Sequence, residues 1–107
     1  MDLYNAAKDG NLERVQLLLG QGTDKDMVGG GEGETPLFAA CANGHLAIAQ
    51  LLVEQGADME KTYVSWTPLN IASNNGHLDV VRYLLEQGAD RDKANANGYT
   101  PLLTAVT

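Results

Sequence analysis

The chain has 107 residues, 44% of them hydrophobic, with 7 basic side chains against 14 acidic ones and a net charge of −7. That size and apolar content suit one small folded unit. The charge balance argues against nucleic-acid or anionic-membrane binding, which needs clustered Lys and Arg, and leaves room for a basic protein partner.

The first residues, Met1-Asp2-Leu3-Tyr4-Asn5, carry neither the basic region nor the apolar core of a secretory signal. Three signposts then recur every 32 to 34 residues. Gly10-Asn11-Leu12 returns as Gly44-His45-Leu46 and Gly76-His77-Leu78. Gly22-Thr23-Asp24 returns as Gly56-Ala57-Asp58 and Gly88-Ala89-Asp90. Thr35-Pro36-Leu37 returns as Thr67-Pro68-Leu69 and Thr100-Pro101-Leu102. Such a period marks a stack of supersecondary units, each burying its apolar faces against its neighbours.

The first unit, residues 1–33, has polar Asn5 and Arg14 where the second has Ala39 and Ile48. Polar substitutions there suit a terminal capping repeat, whose outer face meets water. In the second unit, 34–65, Thr35 is a good N-cap and Pro36 suits the first helical position. A short helix is expected from Pro36 to about Asn43, with small residues Ala39, Ala40 and Cys41 along it. Gly44 can end it in the left-handed conformation. A second helix is expected from His45 to Gln55. It is apolar on more than one face, through Leu46, Ala49, Leu52 and Val53 on one side and Ile48 and Leu51 on another. The third unit, 66–98, repeats this plan with Leu78, Val81, Leu84 and Leu85, plus Val80 and Tyr83.

After Gly98-Tyr99-Thr100-Pro101, residues 99–107 supply only one short helix, and Leu102, Leu103 and Val106 show no polar capping. Two readings follow: a fragment of a longer array, or an abbreviated cap. The exposed apolar end would also allow weak self-association of an otherwise monomeric chain.

No constellation for catalysis stands out. His45 and His77 hold equivalent positions in adjacent units, and catalytic zinc needs three protein ligands, so a structural role is expected and a metal site is not. The lone Cys41 aligns with Ala7 and Ser73, which marks a small-residue packing position, so a buried, inert thiol is expected rather than a nucleophile. Gly29, Gly30, Gly31 and Gly33 lack the Lys-Ser or Lys-Thr of a phosphate loop. Asp24, Asp26, Glu32 and Glu34 do not match the spacing of a calcium loop. No cofactor is expected. A single cysteine and no apolar run near the roughly 20 residues that cross a bilayer place the chain in the cytoplasm or nucleus.

The nine signposts in register resemble the ankyrin repeat family across essentially the whole chain. That resemblance implies an all-α solenoid of stacked helix–loop–helix units with projecting β-hairpin-like loops, and a non-catalytic scaffold that binds a partner protein on its concave face. The family's signature His is replaced by Phe38, Asn70 and Leu103, so its usual hydrogen bonds between repeats are not expected. The family's contact positions fall on Glu32, Glu34, Asn43, Tyr63, Val64, Trp66, Asn74, Asn75, Asn97 and Tyr99. Three of these are aromatic, the residue type that most often anchors interfaces. Trp66 therefore has two readings, as an anchor for a partner or as a stiffener packed on a neighbouring hairpin. Two other functions fit the same residues: a regulatory or targeting segment of a larger protein, and a spacer without its own ligand.

Overall fold

The structure, a computed structural model, describes residues 2–26, 34–64 and 66–90. Glu32, Asn97, Tyr99, the glycine-rich segment and the half-repeat 99–107 lie outside the described residues.

Six helices are seen among the described residues: α1 Leu3–Asp9, α2 Leu12–Gly20, α3 Pro36–Ala42, α4 Leu46–Glu54, α5 Pro68–Asn74 and α6 Leu78–Glu86. Local chemistry sets where the first helix of each pair begins. Asp2, Thr35 and Thr67 each accept from the backbone N–H three residues on, at 2.8, 3.1 and 3.0 Å. These bonds satisfy donors that a helix start leaves orphaned. Asn70 completes a capping box by accepting from the Thr67 N–H at 3.2 Å.

The helices form two layers, with α3 packed between α1 and α5, and α4 between α2 and α6. Leu3, Leu37 and Leu69 are equivalent and buried, as are Ala6, Ala40 and Ala72. In the second helices Val15, Ala49 and Val81 line up, followed by Leu52 and Leu84. Asn5 is exposed where Ala39 is buried, and Arg14 is half-buried where Ile48 is buried. Cys41 is buried, as are its repeat equivalents Ala7 and Ser73, and burial pushes its thiol well above the ordinary range. A thiol so protonated is a poor nucleophile.

His45 and His77 sit at the N-caps of α4 and α6 but make no cap bond. Their rings reach back to the preceding repeat. His45 Nε2 lies 3.0 Å from the Lys8 carbonyl and His77 Nε2 lies 3.1 Å from that of Ala42. A carbonyl only accepts, so Nε2 carries the proton in each ring. Each ring also lies over a glycine of the repeat before, where a Cβ on Gly10 or Gly44 would come within 2.7 or 2.6 Å of it. Carboxylates tie the opposite ends of the repeats: Asp26 accepts from the Asp58 N–H and Glu60 from the Asp90 N–H, both at 3.0 Å. These bonds and ring contacts join each described repeat to the next.

Candidate partner-binding face

The loop between α4 and α5 closes as a tight hairpin. Tyr63 and Trp66 exchange both backbone hydrogen bonds, Tyr63 N–H to Trp66 O at 2.9 Å and Trp66 N–H to Tyr63 O at 3.0 Å. A two-residue connection needs left-handed backbone at its first position. Val64 supplies it with φ of 51°. A β-branched residue pays about 1–2 kcal/mol there, and its side chain is 68% exposed. The tip therefore combines backbone strain with an apolar side chain held out to solvent.

The Tyr63 ring rests edge-on against Phe38, with centroids 5.2 Å apart and planes at 66°. Phe38 is buried in α3, at the position where the family carries its signature His. This seat fixes the hairpin against the first-helix layer. Trp66 is half-buried, which gives it both apolar packing and a surface to offer. Glu34, half-buried before α3, accepts from the Tyr4 hydroxyl at 3.0 Å. Burial first, then the Glu34 bond and charge, push that hydroxyl up to about 12.

Asn43, Asn74 and Asn75 are exposed at the ends of α3 and α5. Asn43 donates to the Ala39 carbonyl at 2.9 Å, within its own helix. Asn75 donates to the Ala42 carbonyl at 2.8 Å, across the repeat boundary, and Asn74 donates to Asn75 Oδ1 at 3.2 Å. The structure so gathers Tyr63, Val64 and Trp66 on one hairpin and Asn43, Asn74 and Asn75 on adjoining helix ends, while Glu34 is engaged by Tyr4. Tyr4 and Phe38 were not singled out for this face in the sequence. They are equivalent positions of successive first helices, and that register was the available signal.

Among the described residues no group of three or more His, Cys, Asp or Glu could hold a metal ion. No described helix is long and apolar enough to cross a membrane. What the face offers is apolar contact at a strained tip, amides along helix ends and a carboxylate.

Paired helices in two layers, joined through rings laid over glycines, define a helical repeat stack. The sequence profile for ankyrin repeats (3 copies) matches residues 3–95 and again 62–107, and the chain belongs to the ankyrin repeat family. Members of that family are generally protein-interaction modules. The chain is 41% identical over 60 residues to Ankyrin repeat and SAM domain-containing protein 6 of Mus musculus, a match covering 56% of this chain and 7% of that protein. It is 42% identical over 62 residues to Diacylglycerol kinase iota of Homo sapiens, covering 56% of this chain and 6% of that protein. It is 43% identical over 63 residues to Protein phosphatase 1 regulatory subunit 27 of Homo sapiens, covering 56% of this chain and 38% of that protein. The matched stretch thus spans well under half the length of each relative.

Proposed function

We propose that the chain is a non-catalytic scaffold that holds a partner protein on the face made by the hairpin tip and the first-helix ends. The observation that carries this reading is Val64, an exposed apolar side chain on strained backbone between two aromatics. Folding alone would favour Gly or Asn at that position. Strain kept at one exposed apolar point motivates a functional role. Tyr63 and Trp66 flank it as the aromatic anchors, and Asn43, Asn74 and Asn75 supply amides for a peptide backbone. Glu34 and the net charge of −7 favour a partner with basic groups. Glu32, Asn97 and Tyr99 are included in this reading by their sequence positions alone, and the partner is met in the cytoplasm or nucleus.

A second reading has a specific observation behind it. The relatives are much longer proteins, so the chain serves as the partner-recruiting segment of a larger regulatory protein, with its own interaction chemistry unchanged.

The test compares immobilised wild type with the Val64→Ser/Trp66→Ala double variant, checked for native helicity, in quantitative capture from cell extract. Proteins held by the wild type are expected to fall about tenfold or more in the variant, the loss typical of one hot-spot residue. Equal retention by the two would remove the hairpin tip from the binding face.

A further inference from the structure

The second-helix layer carries a feature that the hairpin face does not use. Between α2 and α4 lies a depression of about 230 Å³, lined by Gln16, Leu19, Gly20, Leu51 and Gln55. The chain itself shows how the equivalent space is filled one repeat on. There the counterparts of Gly20 and Leu51 are Glu54 and Tyr83. Tyr83 reaches from α6 onto α4, with its hydroxyl 3.4 Å from the Gln50 carbonyl and Glu54 within electrostatic range. Between the first two repeats no tyrosine reaches across, and the depression is left there.

Nothing in the fold requires Gly20. It is the last residue of α2, it does not have left-handed backbone, and a Cβ there would meet no described atom within 4 Å. A glycine in a helix weakens it relative to the glutamates of the other two repeats. The residue therefore lowers helix stability and leaves a space.

We propose that this depression receives a tyrosine side chain of a partner protein. Its floor is aliphatic, through half-buried Leu19 and Leu51, and its rim is uncharged, through Gln16 and Gln55. It is smaller than the roughly 300 Å³ from which sites for whole small molecules begin, so it suits one side chain. A phenol is the group that occupies the equivalent space in the next groove. The Gln16 carbonyl stands where the Gln50 carbonyl meets Tyr83 there. The site lies on the other layer from the hairpin and is independent of the hairpin reading.

The probe is N-acetyltyrosinamide, a tyrosine side chain with its flanking peptide groups, titrated against the folded chain while backbone amide chemical shifts are recorded. Saturable shifts confined to residues 16–20 and 51–55 are expected, with a dissociation constant of about 1 mM or weaker for so small a ligand. The Gly20→Glu/Leu51→Tyr variant copies the chain's own filled groove and is expected to weaken this response by about tenfold or more. Leu51→Tyr alone, which copies the tyrosine that reaches across the next groove, gives the same test should the double variant fail to fold. Diffuse or absent shifts in the wild type would overturn the proposal. So would an undiminished response in the filled variant, or equal binding of N-acetylleucinamide, which would make the depression a general apolar surface.

Discussion

Tyr4 keeps its proton in the folded chain to about 12, against an ordinary value of 10.0, because the ring is buried and its hydroxyl donates to Glu34. Between those two values the folded state binds more protons than the unfolded one. Stability from this group is therefore complete below pH 10 and is lost as pH rises through the folded value. Denaturant unfolding over that alkaline window should show a shallower decline in Tyr4→Phe than in the wild type. A residual decline is expected from Tyr83, whose hydroxyl is also pushed up, by burial and then by Glu54. Identical slopes in the two proteins would mean that Tyr4 ionises as it does in the unfolded chain. Neither this pair nor Phe38–Tyr63 could be read from local sequence. The partners stand 30 and 25 residues apart, one repeat or nearly so, and only the stacking register brings them together. Equivalence of Tyr4 with Phe38 was visible in the repeat alignment, whereas the carboxylate and ring that each would meet were not.

The helices themselves were legible because their punctuation is local. Thr-Pro starts α3 and α5, and Asn-Gly ends them, through side-chain and backbone geometry that needs no tertiary help. The role of His45 and His77 was less so. Their place at the start of a helix is local, but the carbonyl each one meets belongs to the repeat before. The apolar faces of the second helices were also readable, and they carry the energetic weight. Leu84 is fully buried in α6, inside a stack whose stability depends on such burial. Leu84→Ala should cost about 2–5 kcal/mol in denaturant unfolding, from lost transfer energy plus the cavity left behind. A loss under about 1 kcal/mol, the level of an ordinary surface change, would show that α6 is not held between helices at that point. The candidate site was legible only in outline, since position along the repeat identified Val64 as a loop residue. Its left-handed backbone depends on the register of the Tyr63–Trp66 bridge.

At the scale of the whole molecule, packing runs between neighbouring repeats: α1 with α3, α3 with α5, α2 with α4 and α4 with α6. In such an array each repeat contributes its own stability and an interface term with its neighbour. The two histidine-over-glycine contacts are matched interface elements, one at each boundary between described repeats, and they allow that description to be tested. Gly10→Ala forces left-handed backbone on an L side chain at φ of 77° and drives a Cβ against His45. Gly44→Ala does the same at 73° against His77. Each should cost about 1–3 kcal/mol from strain together with overpacking, but at different boundaries. In amide hydrogen exchange, Gly10→Ala should speed exchange chiefly in α1 and α2, which lose their contact with the second repeat. Gly44→Ala should act chiefly on α5 and α6, which among the described residues pack on the second repeat across that boundary. Local opening of this kind is how a stack with nearest-neighbour coupling relaxes. If both variants instead raised exchange by the same factor in all six helices, the repeats would open only together, and the boundaries would be no weaker than the repeats they join.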